Sequence, residues 1–423
     1  MATPTERSYA QKLDQEDPLQ SYRNEFLFPR GKTGQRIVYF TGNSLGLQPV
    51  NTRRYINREL DKWAAMGVEG HFETPDPWYS YHELFCAPMS KVVGAQDHEV
   101  TVMNSLTVNL HLLMVSFYRP TSTRYKIVIE KGAFPSDRYA VASQASFHGF
   151  DPNEAVIELA PREGEATLRH DDIFHVLEEQ GDSIALVLLG GVNYYTGQVF
   201  PMAEITKLGH DKGITVGFDL AHAAGNVPLQ LHDWDVDFAA WCTYKYLNSG
   251  PGGVSGCFVH DRHKFDPTLP RFAGWWGNDP NTRFTMPDKF VPQEGAGGWQ
   301  MSNAPILPMA SLRASLDLFD QVGMEALQVK SQKLHNYMRS LLEHIPNRPF
   351  LPLTPSNASE HGCQLSIRQA DPSQANDLST FLRQREIISD VRSDVIRIAP
   401  VPLYNSFEDV WHFYDSLREF CEQ

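Results

Sequence analysis

Short apolar runs alternate with longer amphipathic stretches through the middle of the chain. Apolar runs at 126–130, 184–190, 214–219 and 238–242 predict strands, and helical patterns at 105–118, 136–147, 171–179 and 204–212 lie between or before them. The run at 184–190 is apolar throughout, which is typical of a strand buried on both faces. This alternation predicts an α/β protein whose mostly parallel central sheet is flanked by helices.

The pattern changes on both sides of this central region. Residues 1–36 are polar with short helical patches, and we expect this N-terminal segment to pack on the body of the protein. Residues 264–302 are irregular but rich in glycine, proline and aromatic residues, and 305–344 reads as a long helix or a pair of helices. Strand, helix, strand, strand and helix patterns follow. The sequence therefore predicts a large domain at 37–305 and a smaller α+β domain at 306–423.

Composition narrows the class of protein. Of the 423 residues, 42% are apolar and 21% charged, as in ordinary soluble globular proteins, and the net charge of −14 argues against nucleic-acid binding. The N-terminus lacks a signal-peptide pattern, and no apolar run approaches the roughly 18 residues that span a bilayer. Five cysteines occur without C-x-x-C or zinc-site spacing. We expect a cytoplasmic protein that binds neither membranes nor a metal.

A carboxylate and a lysine follow two of the predicted strands. Asp219 ends one apolar run, and Tyr244 and Lys245 follow the next, just before a glycine-rich turn. Such a lysine can form a Schiff base with the aldehyde of pyridoxal phosphate (PLP), while the carboxylate keeps the ring nitrogen protonated. Because ligands bind at the carboxyl edge of parallel sheets, we expect His222 to face the same crevice. These residues predict a PLP site.

Two further segments suit the same cofactor. The backbone N–H of Leu106 and the hydroxyl of Thr107 open a helix, where a phosphate could bind, although an ordinary helix cap would have the same sequence. Phe134 could stack on a flat ring, and Asp137 could assist the ring nitrogen or hydroxyl. Taken alone, residues 134–137 would be read as a turn.

Several longer motifs, occurring in one order from about residue 37 to the C-terminus, resemble kynureninase. They are Tyr39-Phe-Thr-Gly-Asn-Ser-Leu-Gly-Leu-Gln-Pro49, Leu106-Thr-Val-Asn-Leu-His-Leu-Leu-Met114, Ala133-Phe-Pro-Ser-Asp137, Gly217-Phe-Asp-Leu-Ala-His-Ala223, Tyr244-Lys-Tyr-Leu-Asn248 and Gly274-Trp-Trp-Gly277. The resemblance implies the aspartate-aminotransferase-like PLP fold (fold type I) and a homodimer whose active sites lie at the subunit interface.

The resemblance also implies roles for individual residues. Lys245 would form the Schiff base and Asp219 would pair with the pyridinium. The cofactor site would be lined by Leu106, Thr107, Phe134, Asp137, His222 and Tyr244, with Trp275 and Asn303 reaching it from the partner subunit. Arg397 would bind the substrate carboxylate, as a bidentate guanidinium can. Ser44, His71 and Asn303 would contact the rest of the substrate.

Two positions depart from the family pattern. Gly190 stands where some relatives carry a serine near the cofactor, and Asn278 stands where relatives often have histidine. His71 and Asn303 match positions of the animal-type enzymes, which weakly favours 3-hydroxykynurenine as substrate.

The expected reaction is hydrolysis of the Cβ–Cγ bond of L-kynurenine or 3-hydroxy-L-kynurenine. It yields L-alanine and anthranilate or 3-hydroxyanthranilate, in tryptophan degradation and NAD biosynthesis, with Tyr244 moving protons at the carbonyl oxygen. The nearest alternative is a class V aminotransferase or a cysteine desulfurase, but Cys363 begins a predicted strand and Cys421 is near the chain end. A non-catalytic PLP-fold protein would not need Lys245, Asp219 and Arg397, and a Rossmann dehydrogenase would need G-x-G-x-x-G.

Overall fold

The computed structural model describes residues 3–422, except 265, 267 and 348. Its α-helices are α1 (Arg7–Gln15), α2 (Thr52–Met66), α3 (Cys86–Val93), α4 (Leu106–Phe117), α5 (Pro135–Phe147), α6 (Pro152–Ala155), α7 (His170–Gln180), α8 (Met202–Asp211), α9 (Ile306–Val322), α10 (Met324–Leu342), α11 (Ala375–Gln384) and α12 (Phe407–Cys421). Its strands are β1 (Phe26–Leu27), β2 (Val38–Tyr39), β3 (Gln48–Pro49), β4 (Val100–Met103), β5 (Lys126–Glu130), β6 (Val156–Leu159), β7 (Ile184–Gly190), β8 (Thr215–Asp219), β9 (Phe238–Cys242), β10 (Ser255–Val259), β11 (Phe350–Pro352), β12 (Leu365–Gln369), β13 (Ile387–Ile388), β14 (Asp390–Arg392) and β15 (Val395–Ile398).

The central sheet has seven strands in the order β4-β10-β9-β8-β7-β5-β6. In the part of the sheet with the order β9-β8-β7-β5-β6, each strand runs parallel to its neighbour. This confirms the predicted fold class. Strand β10 instead pairs antiparallel with β9 and β4. The connection from β9 to β10 contains no α-helix, so the chain turns back directly and β10 pairs beside β9.

Helices cover both faces of this sheet, as the continuous apolar runs predict. In β5, Ile127 and Ile129 pack in a core with side chains of α4 and α5, while Val128 points into a second core with α7 and α8. Successive side chains of a strand face opposite sides, so a strand between two helical layers must be apolar at every position. Polar residues are then confined to the strand ends, where the site lies.

A second sheet, in the order β11-β12-β15-β14, is antiparallel throughout. It has its own core, which contains residues of α10, α11 and α12 together with Ile367 and Ile396. Helix α9 packs in the core of the large sheet. None of the described helices is both long and apolar enough to cross a membrane.

The N-terminal segment is joined to this smaller part of the protein. Strand β2 pairs in parallel with β13, with Val38 opposite Ile387. The buried carboxylate of Asp14 accepts the backbone N–H of Phe407 (2.7 Å) at the start of α12. The loop after β2, which contains Ser44 and Gly46, is therefore held between the two sheets.

Candidate active site

A cavity of about 160 Å³ lies at the carboxyl edge of the central sheet. Glu130, Gly190 and Asp219 end three neighbouring strands there, and Lys245 follows the fourth. The complete lining is Ser105, Leu106, Thr107, Glu130, Phe134, Ser136, Asp137, Gly190, Val192, Tyr194, Asp219, Ala221, His222, Tyr244 and Lys245. Eight of the predicted site residues are thus brought together: Leu106, Thr107, Phe134, Asp137, Asp219, His222, Tyr244 and Lys245.

Lys245 lies in the turn that connects β9 to β10. Its Nζ is 5.9 Å from the centroid of the Phe134 ring. The turn includes Asn248 with φ 51°, a left-handed conformation that asparagine tolerates well. Burial raises the pKa of the Tyr244 hydroxyl above its usual range, so this phenol is neutral at physiological pH.

Two carboxyl groups, Asp137 and Asp219, lie close enough together for each to influence the pKa of the other. Pro135 occupies the first turn of α5, where a missing N–H costs little, and this start places Asp137 beside the end of β8. Asp219 also accepts the backbone N–H of Ala221 (2.7 Å). Burial and the neighbouring Asp219 charge raise the pKa of Asp137 well above its usual range, and burial raises the pKa of Asp219.

A third carboxylate, Glu130, was missed in the sequence-based prediction. Its Oε2 accepts the backbone N–H of Gly190 (3.2 Å), and burial raises the pKa of Glu130 to about 7. A Cβ at position 190 would lie 3.0 Å from Glu130 Oε1, so a larger side chain there would press on this carboxyl. Glu130 ends an apolar run as Asp219 does, and the same signal could have identified it.

The N-terminus of α4 faces the cavity. Its first intrahelical hydrogen bond runs from the N–H of Asn109 to the carbonyl of Ser105 (3.0 Å). The N–H groups of Leu106 and Thr107 therefore have no acceptor within the helix and are free to bind an anion.

His222 and Tyr194 form the wall opposite this helix. His222 is 6% exposed, and its Nδ1 has no hydrogen-bond partner among the described residues. Burial, with the positive charges of Lys245 and Arg397, lowers the pKa of His222 well below its usual range, so the imidazole is neutral. The ring of Tyr194 packs edge-on against Phe134 at 5.4 Å. Tyr194 lies in a connection without periodic pattern, and no sequence signal marked it.

Arg397 lies beyond Tyr194 and does not line the cavity. It is 2% exposed, and its Nη1 donates to the carbonyl oxygen of Tyr194 (2.7 Å). Its Nη2 forms a short ion pair with Asp390. Ser44 is exposed, in the loop whose Gly46 N–H donates to the carbonyl oxygen of Tyr244 (2.8 Å).

His71, Trp275 and Asn303 are not brought to the cavity of their own chain. Trp275 is 41% exposed and packs against Phe284 (5.4 Å between ring centroids), which contacts Phe72 (6.1 Å). His71 packs against the same Phe72 (6.2 Å), and Asn303 is exposed. We call Phe72, Trp275 and Phe284 the aromatic patch.

Asn278 supports this region without contacting the cavity. Its Oδ1 accepts the backbone N–H of Val291 (2.8 Å). Asn278 does not line the cavity of its own chain. Its effect on the site would therefore act through the segment that carries Trp275.

The residues of the cavity fit PLP. Three carboxyl groups line the cavity with one lysine, and burial raises the pKa of each, so a cationic ring nitrogen beside them would stabilise their ionised form. The free N–H groups of α4 suit a phosphate, and Phe134 offers a flat apolar face beside Lys245.

Comparisons with known proteins agree with this chemistry. Residues 327–417 match the family model for the kynureninase C-terminal domain. The kynureninase of Flavobacterium psychrophilum is 53% identical over 97% of this chain and 97% of its own length. The kynureninase of Myxococcus xanthus is 55% identical over 97% and 96%.

More distant solved structures share the fold. The cysteine desulfurase of Thermococcus onnurineus NA1 has a TM-score of 0.72 at 17% identity, covering 91% of this chain and 95% of its own. A C-DES variant with glycine covalently linked to its PLP cofactor has a TM-score of 0.76 at 18% identity, covering 94% and 99%. At such identities the likeness shows the fold alone.

Proposed function

The chain belongs to the kynureninase family, and on that premise we propose that it hydrolyses the Cβ–Cγ bond of L-kynurenine, 3-hydroxy-L-kynurenine or both. The products are L-alanine and anthranilate or 3-hydroxyanthranilate, so the reaction belongs to tryptophan degradation and NAD biosynthesis. The observation that carries the proposal is that Lys245, Asp219 and the N-terminus of α4 line one cavity.

The cavity residues would hold PLP in one orientation. Lys245 would bind the cofactor aldehyde as a Schiff base, Asp219 and Asp137 would hold the ring nitrogen, and Leu106 and Thr107 the phosphate. Phe134 would stack on the ring, with His222 and Tyr244 completing the site. When bound, PLP supplies an electron sink for the carbanions that form next to the substrate nitrogen.

Two side chains would move protons. Lys245, when it is not bound to the cofactor, would take the proton from the substrate Cα. Tyr244 is kept as a neutral phenol by burial, so it can donate a proton at the γ-carbonyl oxygen as water adds to that carbon. Both residues belong to the same turn, so a single segment would move protons at Cα on one side of the cleaved bond and at the γ-carbonyl oxygen on the other.

Substrate selection would depend on residues outside the cavity. Arg397 would bind the α-carboxylate, and Ser44 lies on the loop that contacts the Tyr244 carbonyl. His71 and Asn303 would contact the aromatic ring of the substrate from the partner subunit. The preference for 3-hydroxy-L-kynurenine over L-kynurenine would then depend on residues at the subunit interface.

We propose that the protein is a homodimer with shared active sites. The aromatic patch supports this, because Phe72 and Phe284 are 56% and 52% exposed and lie beside Trp275. Contiguous exposed apolar surface of this kind usually marks an interaction site. Trp275 and Asn303 would then complete the cofactor site of the partner subunit.

We also propose a large domain at 37–305, a small domain at 306–423 and a cytoplasmic location. The separate cores of the two sheets support two domains. Helix α9, the first helix of the proposed small domain, packs in the large core and connects the two. All five cysteines are free thiols, the form that a reducing compartment maintains.

A cysteine desulfurase would need a reactive, accessible thiol. Burial raises the pKa of Cys363 to about 12, and Cys242 and Cys257 are also buried. Burial also raises the pKa of the two half-buried thiols, Cys86 and Cys421. The five thiols are poor nucleophiles, so the cysteines of this chain do not favour that reaction.

The proposal is tested by incubating the PLP-loaded protein with each kynurenine and measuring anthranilate fluorescence and alanine. We expect turnover of at least one substrate and none with Lys245→Ala. PLP-loaded protein that turns over neither substrate would contradict the proposed reaction.

A further inference from the structure

The side chains of Asp390 and Arg397 lie directly opposite each other on the antiparallel strands β14 and β15. Their ion pair is almost withdrawn from solvent, since the side chains are 12% and 3% exposed. Directly opposite residues share one face of a sheet, so the backbone itself keeps this carboxylate against this guanidinium.

Two of the three guanidinium nitrogens of Arg397 are thereby fixed. Nη2 is paired with Asp390, and Nη1 donates to the Tyr194 carbonyl at 2.7 Å. Because the guanidinium is planar, two anchored nitrogens determine the direction of the third. Nε is buried, and the described residues provide it with no acceptor. The described residues thus engage two of the five N–H donors of a fixed fork, which leaves three, one on each nitrogen, for a ligand.

Tyr194 connects this arrangement to the cofactor cavity. Its ring lines the cavity, packs against Phe134 and lies 5.8 Å from the guanidinium carbon of Arg397. Arg397 is therefore fixed relative to the wall against which the cofactor ring would stack.

The local charge also suits an anionic ligand. Asp390 forms a second ion pair with Arg392 (3.3 Å), whose side chain is 47% exposed. One carboxylate balances two arginines, which leaves one positive charge for a substrate carboxylate.

We propose that Asp390 is a positioning residue, which orients Arg397 to bind the substrate α-carboxylate. The inference rests on the proposed function of Arg397. Without Asp390 the guanidinium can turn away from the substrate, so carboxylate binding weakens while the bond-breaking residues on the other side of the cavity are unchanged.

The test compares the PLP-loaded wild type with Asp390→Asn, which keeps an acceptor of the same size but removes the charge. We expect the KM for L-kynurenine to rise about tenfold or more, with kcat within about threefold. Kynuramine, which is kynurenine with hydrogen in place of the α-carboxylate, should bind equally well to both proteins, as measured by the visible spectrum of the bound cofactor. The matched control is Asp394→Asn, since Asp394 lies in the same hairpin but pairs with Arg368 of β12 (2.7 Å). That variant should keep the wild-type KM.

A double-mutant comparison separates a positioning role from a loss of folding. In an Arg397→Ala background, which removes the buried charge that needs Asp390, adding Asp390→Ala should leave the KM unchanged. If the KM is raised in Arg397→Ala but is that of the wild type in Asp390→Asn, the positioning role of Asp390 is overturned and the role of Arg397 stands. Wild-type KM in Arg397→Ala would overturn the proposed role of Arg397 and this inference with it. An equal loss of kynurenine and kynuramine binding in Asp390→Asn would show a general structural effect and would also overturn the inference.

Discussion

The backbone N–H of Gly46 donates a 2.8 Å hydrogen bond to the carbonyl oxygen of Tyr244. The approach is so close that a Cβ on Gly46 would collide with the Lys245 carbonyl oxygen and the Asn248 side chain. The loop after β2 therefore acts as a support for the turn that carries the lysine. Cofactor binding depends on a segment that is remote in sequence from every residue that touches the cofactor cavity.

Gly46→Ala is expected to displace this turn. Lys245 would no longer be directed at the cavity, so we expect the purified protein to lose most of its bound PLP and kcat to fall by about tenfold or more. Visible absorbance of the cofactor and steady-state kinetics measure both effects. Gly181→Ala is the control, because a Cβ there would lie 3.1 Å from Lys212 Cβ, a milder contact at a position outside the cavity lining. Full PLP content and activity in Gly46→Ala would contradict the supporting role of the loop.

Asp219→Asn should separate cofactor binding from catalysis. An amide cannot hold the ring nitrogen in its protonated form, so we expect PLP to bind while kcat falls by about a hundredfold or more. Cofactor absorbance and anthranilate production give the two readouts. A kcat within threefold of wild type would exclude Asp219 as the partner of the ring nitrogen.

Glu130 should make the stability of the cofactor-free protein depend on pH. Its pKa is about 7 when folded against 4.5 for an unperturbed glutamate. The folded state therefore holds a proton that the unfolded state releases between these values. The contribution of Glu130 to the free energy of unfolding is fully present below about pH 4.5 and is lost as the pH rises through 7.

Denaturant unfolding of wild type and Glu130→Gln at several pH values measures this effect. We expect the stability difference between the two proteins to change by about 3 kcal/mol between pH 4.5 and 8, with wild type losing stability as pH rises. A difference independent of pH would mean that the folded protein does not keep Glu130 protonated.

Shared active sites predict complementation between inactive variants. Lys245→Ala and Trp275→Ala should each be inactive or nearly so as pure proteins. In hybrid dimers, one site receives a native Lys245 and a native Trp275, so mixing equal amounts under conditions that exchange subunits should restore about a quarter of wild-type activity. No recovery in dimers shown to have exchanged would contradict the proposed role of Trp275.

Much of the fold could be predicted because its strands are buried between two helical layers. Continuous apolar runs marked β5, β7, β8 and β9, and polar residues at their ends marked Asp219 and Lys245. The antiparallel direction of β10 depends on the absence of a helix in the turn after β9, which the glycine-rich pattern did not specify.

The missed site residues share a physical reason. Tyr194 and Asp390 have no periodic or motif signal. The importance of Tyr194 arises from its contact with Arg397, about two hundred residues away in the chain. Asp390 acts through the same Arg397, which lies opposite it on the β14–β15 hairpin. The contact between Tyr194 and Arg397 depends on how the two sheets pack. Glu130 is different, since its position at a strand end carried the same information as that of Asp219.

The pairing of β2 with β13 has a consequence for the order in which the protein can be completed. Val38 is synthesised long before its partner Ile387. The loop that supports the lysine turn can therefore be held by this pairing only after β13 has been made. A nascent chain that contains the central sheet but not β13 would still lack this support for the lysine turn.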